Sequence, residues 1–400
     1  MSPPAALDAL WASLAPVRAR LADADDAVVT RQVALCEIPA PTGAEDERGA
    51  AVARCFREFG LAEISTDDVG NVTAVRPGET SDAPVVVCAH LDTIFPADTA
   101  VAVRREGDRL LAPGIVDNAR GLATTLALAE AFDGARVRTR RPILFAATVG
   151  EEGAGDLRGM KHLMSHLSER PHACIILDGA GDDRIITRAL GARRLRVTFR
   201  AEGGHSWSAF GVPNPVHAAG SAAAKLAKLP LPRKPRTTLS VCRIGGGVSI
   251  NAIPDDAWLE IDIRSTSADT IASCVRDVEH AVVTAAREEN ARRASRFDPM
   301  TFHITIVGDR PSGSVDAQHP LVKAAERATQ LIGSTPEFVT SSTDANVPLS
   351  LGIPAVAIGA GGLGGNTHTA NEWYENTNGH LGIARALTLL AAMAEVAAVS

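Results

Sequence analysis

The sequence lacks several features that would place it in other classes. No stretch approaches the ~18 uninterrupted apolar residues of a membrane span. The N-terminal segment is broken by Asp, Arg and Pro, so it has no apolar signal-peptide core. Lys and Arg total 40 against 47 Asp and Glu, and aromatics make up only 4% of the residues. There is no basic stripe interleaved with aromatics, which argues against a nucleic-acid partner. The six cysteines (Cys36, Cys55, Cys88, Cys174, Cys242, Cys274) form no CxxC pair. In a chain this long they read as reduced, mostly buried thiols of a cytoplasmic protein. Internal repeats and low-complexity tracts are also missing.

What is present is an ordinary apolar fraction, 46%, spread over 400 residues, which predicts two domains rather than one core. Residues 7–60 read as mainly helical, with a break at 39–43. From 61 to 186 strands and helices alternate, the signature of an α/β unit. Between 190 and 308 the texture changes. ARRLRVTFRAEG, RTTLSVCRIGGG, AWLEIDIRSTS and TFHITIV read as strands, with helices after the first and third. The order β-α-β-β-α-β is a ferredoxin-like α+β pattern. Helix–strand alternation then resumes. The expected architecture is a mostly parallel α/β domain formed by 1–189 and 309–400, with an α+β domain, 190–308, inserted into it.

Five apolar runs each lead into a residue able to hold a metal ion. VVVCA precedes His90 and Asp92, APGIV precedes Asp117, PILFAATVG precedes Glu151 and Glu152, ACIIL precedes Asp178, and PAVAIGAGGLGGN leads to His368. Such runs read as buried strands, and ligands of open α/β sheets gather beyond the strands' carboxyl ends. His90 and Asp92 share a face, so Asp92 can accept one ring proton while the other ring nitrogen binds metal. Asp117 opens a helix, where it is either a cap or a ligand. The adjacent Glu151 and Glu152 repel each other unless a cation or shared proton compensates. Asp117, Glu152, Asp178 and a bridging hydroxide would balance two divalent ions, leaving Glu151 as a base. Cys88, inside its apolar strand, reads as core, and His162 and His166 as a solvated helix face.

As a spaced set, HLDT, DNARG, GEEG, LDG, GGHS and HTANE resemble the M20 family of co-catalytic metallopeptidases, over nearly the whole chain. The resemblance implies a zinc-exopeptidase-type catalytic domain and an inserted dimerisation domain. It places His90, Asp117 and Asp178 around one metal ion and Glu152, Asp117 and His368 around the other, with a cis Asp117–Asn118 peptide. Glu151 would be the general base and Asp92 the support of His90. His205 of GGHSW would stabilise the oxyanion, in its own or the partner subunit's site; the residues alone suggest a turn histidine. Asn251 and Arg264 would bind substrate, although Arg264 is equally a strand-borne partner for Asp262 or Glu260. The segment 359–365 either lets backbone amides approach substrate or forms a loop. Two divalent ions are implied, Zn with Co or Mn as alternatives. The implied activity is hydrolysis of small peptides by an aminopeptidase- or tripeptidase-like homodimer. The alternatives are an N-acyl amino acid deacylase, a glutamate-type carboxypeptidase or a non-catalytic metal-binding homodimer.

Overall fold

The structure, a computed structural model, describes residues 3–134 and 137–398. It divides into two compact units, Met1–Ala189 with Ser314–Ser400, and Leu190–Gly313. The strand Thr301–Arg310 carries the second unit past the expected boundary at 308.

In the first unit the apolar runs Val85–His90, Ile143–Thr148, Ala173–Leu177 and Ala355–Ile358 are buried along their whole length. This is why they carry no polar alternation: parallel strands covered on both faces need none. They lie side by side in the order 143–148, 85–90, 173–177, 355–358, and each neighbouring pair is parallel. Antiparallel strands extend the sheet, Val72–Arg76 and Ala62–Thr66 on one side and Arg184–Ala189 on the other. The two-residue period divides each run between two cores. Val85, Val87 and Ala89 pack with Leu122, Leu126 and Leu387, whereas Val86 and Cys88 pack with Leu144, Met160 and Leu163. Cys88 is thus a core residue, and burial pushes its thiol well above the usual range. Among the described residues no helix is long and apolar enough to cross a membrane.

Two of the five expected strand ends are not strand ends. The APGIV segment is a turn running into Asn118, because Pro113 and Gly114 interrupt a run too short to join the sheet. Ala355–Ile358 is a strand but stops well before His368, which lies in a turn between the short strands Leu363–Gly365 and Trp373–Glu375. A second, small antiparallel sheet joins these two strands to Arg109–Leu111 and Arg104–Glu106. That sheet closes the long sequence distance between Asp117 and His368.

The second unit follows the expected β-α-β-β-α-β order. Its antiparallel sheet has the strand order Thr237–Gly246, Asp256–Ser265, Gly191–Arg200, Thr301–Arg310. Helices Pro215–Leu226 and Ala268–Asn290 contribute to its core. Their starts are legible in sequence: Asn214 accepts from the amides of Val216 and His217 ahead of Pro215, and Ser267 accepts from Thr270. Along Asp256–Ser265, Ala257, Leu259, Ile261 and Ile263 are buried, while Trp258, Glu260, Asp262 and Arg264 are half-buried on the other face.

Candidate metal centre

One arm of the site comes directly from the parallel sheet. His90 ends its strand opposite Thr148, and two residues beyond Thr148 the chain turns at Gly150 (φ +61°) to present Glu151 and Glu152. Asp92 ties the two strand ends together. Its Oδ1 accepts the Glu151 amide at 2.9 Å, and its Oδ2 accepts the Glu152 amide at 3.0 Å and the Thr42 hydroxyl at 2.8 Å. His90 Nδ1 lies 3.0 Å from the carbonyl oxygen of Asp92 and 3.4 Å from its Oδ1. The expected support of His90 is therefore shared between the Asp92 backbone and carboxylate, and most of the carboxylate's hydrogen bonds go to the Glu151–Glu152 turn. Burial alone would raise the Asp92 carboxyl, but facing His90 and these donors hold it at about 2. The buried Arg48 steadies the same corner, donating to the carbonyls of Leu91, Cys36 and Ile38.

The other arm has no regular structure. The Asp117–Asn118 peptide is cis. Asn118, not Asp117, caps the following helix: its Oδ1 accepts the amide of Gly121 at 3.1 Å, and its Nδ2 donates to the carbonyl of Leu177. Asp117 is thereby freed from the capping role. Its main chain is held from the other side by Glu372, which is fully buried. The Glu372 carboxylate accepts the amides of Val116 (2.7 Å), Asp117 (2.9 Å) and Gly114 (3.2 Å). Burial lifts this carboxyl to about 7 against the pull of those amides.

The two arms meet at Asp117. Its Oδ1 lies 2.9 Å from His90 Nε2 and its Oδ2 3.2 Å from His368 Nε2, while His368 Nε2 also lies 2.8 Å from Glu152 Oε1. One ligand atom from each of His90, Asp117 and Glu152 falls within 4.8 Å of the others. Asp178 follows the end of Ala173–Leu177, its amide donating to Ile358. Burial, with the charges of Asp117 and Glu152, pushes its carboxyl up to about 7. Hydrogen bonds that His368 donates to Asp117 and Glu152 lift it to about 10, and His90 is raised well above its ordinary value by Asp117 and Asp92 in spite of its burial. His90, Asp117 and Glu152 are close enough together to hold a divalent metal ion, and His368 reaches two of them.

The sequence model of peptidase family M20/M25/M40 matches residues 86–395. The chain belongs to this family. Its members are metal-dependent peptidases and amidohydrolases. A succinyl-diaminopimelate desuccinylase of Corynebacterium glutamicum is 25% identical over 247 residues, covering 60% of this chain and 66% of that protein. A cytosol non-specific dipeptidase of Escherichia coli is 23% identical over 341 residues, covering 78% and 66%. The chain thus spans slightly less than two thirds of both relatives. Among solved structures, the aminopeptidase PepT of Bacillus cereus superposes with a TM-score of 0.73 at 22% identity, covering 92% of this chain and 98% of that one. A Staphylococcus aureus tripeptidase gives 0.75 at 20% identity with the same coverages.

In the segment 359–365, residues 359–362 form a loop and Leu363–Gly365 a short strand. The segment is laced to the loop after Asp178: Ala360 donates to Gly179, Gly361 to Gly181, and Gly181 back to Gly362. A Cβ at Gly359 would meet the carbonyl oxygen of Ala180 at 2.4 Å, so glycine is needed for this approach. Buried Arg385 and Arg120 clamp the segment through the carbonyls of Gly359 and Ala360.

In the second unit, His205 and Asn251 are neighbours. Gly204–His205 pairs with Ala252–Ile253, and Ser206 donates to the Asn251 carbonyl. His205 is exposed, and its Nδ1 accepts the Trp207 amide at 3.2 Å. Arg264 donates from Nε to Asp262 at 2.7 Å, one of the two pairings considered from sequence. His162 and His166 stack at 3.9 Å on a helix surface.

Thr42, Asn118 and Glu372 were missed as site residues. Asn118 and Glu372 stand inside the DNARG and HTANE segments, next to or near residues already singled out. Thr42, in the 39–43 break, had no signal of its own.

Proposed function

We propose that this protein hydrolyses the amide bond of small peptides as an aminopeptidase- or tripeptidase-like exopeptidase. One observation carries the reading: the two oxygens of Asp117 are addressed by two different histidines, one from each arm, as a carboxylate shared by two cations requires. His90, Asp117 and Asp178 would hold one ion, and Glu152, Asp117 and His368 the other. Bound divalent ions supply Lewis acidity that polarises the scissile carbonyl and acidifies water.

The protein's own groups do the rest. Glu151, buried and with its amide pinned by Asp92, takes the proton of the attacking water and passes it to the leaving amine. Thr42 and the Glu152 amide fix Asp92, so the base and a ligand are oriented by one carboxylate. His205 is assigned to oxyanion stabilisation, and Asn251 and Arg264 to substrate binding. A cytoplasmic homodimer formed through 190–313 belongs to the same reading. It is supported by the exposed apolar side chains flanking His205 and Asn251, with Trp207 86% and Phe210 78% exposed.

The second reading, an N-acyl amino acid deacylase, draws support from desuccinylase relatives, including a putative one in Mycobacterium tuberculosis that is 26% identical and of which the match covers 88%. A single screen separates the two. Protein stripped of metal and reloaded with Zn is offered dipeptides, tripeptides, and N-acetyl and N-succinyl amino acids, with Glu151→Gln alongside. Cleavage of peptides with a free amino terminus is expected. Turnover of N-acyl substrates alone would replace the first reading with the second, and no amide turnover at all would remove both.

A further inference from the structure

Glu372 is a fully buried carboxylate whose hydrogen bonds go to the backbone of another segment and to no histidine. It binds the turn before Asp117 twice over. Its side chain accepts three amides of that turn, and its own carbonyl accepts the Ala112 amide at 3.1 Å. The turn has no helix or strand to satisfy those amides, and an unpaired buried amide is costly. A carboxylate is suited to the task, because its two oxygens offer about four acceptor positions and charge-assisted bonds are stronger than neutral ones. Glu372 also follows His368 in the same short connection, whose Thr369 carbonyl accepts the Glu372 amide. One residue therefore fixes the carboxylate that joins the arms relative to the histidine facing it.

We propose that Glu372 is a positioning residue that aims Asp117 between the two cation sites and sets its separation from His368. It touches neither substrate nor ion. The inference rests on the two-ion reading above. Gln at this position keeps the side chain's size but turns an NH2 group toward amide hydrogens, so the turn must rotate and carry Asp117 with it. Ala would leave all three amides unpaired, and that variant is set aside because it is prone not to fold.

The test is a competition titration of Zn against a chromophoric chelator, with Co-loaded absorption spectra, on wild type, Glu372→Gln and Leu128→Ala. Leu128 is a fully buried core residue outside the site, so its truncation lowers Tm without touching the ligands. Wild type is expected to bind two ions. Glu372→Gln should weaken at least one of them by about 10–100-fold, the usual effect of removing a support behind a ligand, with an altered Co spectrum. Its kcat should fall more than its KM rises. Leu128→Ala should keep both affinities despite its lower Tm. If Glu372→Gln binds both ions like wild type with an unchanged spectrum, or if Leu128→Ala loses metal to the same extent, the positioning role is wrong while the two-ion reading stands. If wild type binds fewer than two ions, the two-ion reading itself fails.

Discussion

The two arms of the candidate centre are built by different physics. His90, Glu151 and Glu152 stand at or just beyond the ends of buried parallel strands, where sheet hydrogen bonds and core packing fix the backbone before any ligand is considered. Asp117 and His368 stand in turns, and side-chain-to-backbone bonds from Glu372 and Asn118 do that work instead. The strand arm inherits most of its placement from the fold, with Asp92 bracing the turn at Glu151 and Glu152, whereas the turn arm depends wholly on a few buried polar residues. Mutations that leave the sheet intact should therefore separate the two.

The largest effects are expected at the base and at the carboxylate the two arms share. Glu151→Gln should lower kcat by roughly 10²–10⁴-fold, the range for a lost general base. Its metal content by elemental analysis should stay unchanged, because the strand arm keeps its backbone. Asp117→Ala should abolish activity and also lose metal, since both arms lose their shared ligand. If it retained both ions, the idea that Asp117 joins the arms would be wrong.

Asp92→Asn should cost about 10–100-fold in activity. An amide has one acceptor oxygen where Asp92 uses two, so the Glu151 or Glu152 amide loses its partner. Unaltered kinetics would mean the strand ends hold themselves.

Acidity should move both arms together. Asp178 titrates near 7 in the folded metal-free protein against 3.8 ordinarily, so it binds a proton more tightly folded than unfolded. Its contribution to metal-free stability is fully present below 3.8 and is lost as pH rises through about 7. Metal must displace that proton and the one on His368, held to about 10. Zn affinity should consequently rise with pH from 6 to 8, with proton release seen by calorimetry in buffers of different ionisation enthalpy, and the Tm gap between loaded and metal-free protein should widen. A pH-independent affinity would contradict the crowding of charge described here.

The smallest effect is expected in the second unit. Arg264→Ala breaks a half-exposed pair with Asp262 and should change stability by no more than about 1 kcal/mol. A several-fold rise in KM at unchanged Tm would support a substrate-binding role, whereas unchanged KM would leave Arg264 as Asp262's partner alone.

How much of this was legible in the sequence follows the same division. The four central strands were readable because strands buried on both faces must be apolar throughout, and His90, Glu152 and Asp178 follow from where those runs stop. The second unit's elements were readable from period-two alternation in the strands and helical spacing between them, whereas the Asn214 and Ser267 caps emerged only in the structure. The APGIV turn was misread as a strand because burial alone made it apolar; its backbone is satisfied by Glu372, hundreds of residues away. His368 was found by its motif, not by strand geometry. Glu372 and Thr42 escaped notice because a buried carboxylate or hydroxyl that serves another segment's backbone leaves no periodic trace in its own neighbourhood.

In the proposed site Asp117 joins the arms by sharing two cations. Crystals of Zn-loaded protein, measured at the Zn absorption edge, test it most directly. Two anomalous peaks are expected, both within coordination distance of Asp117, one also reached by His90 and the other by Glu152 and His368. A single peak, or two peaks that Asp117 does not touch, would contradict it.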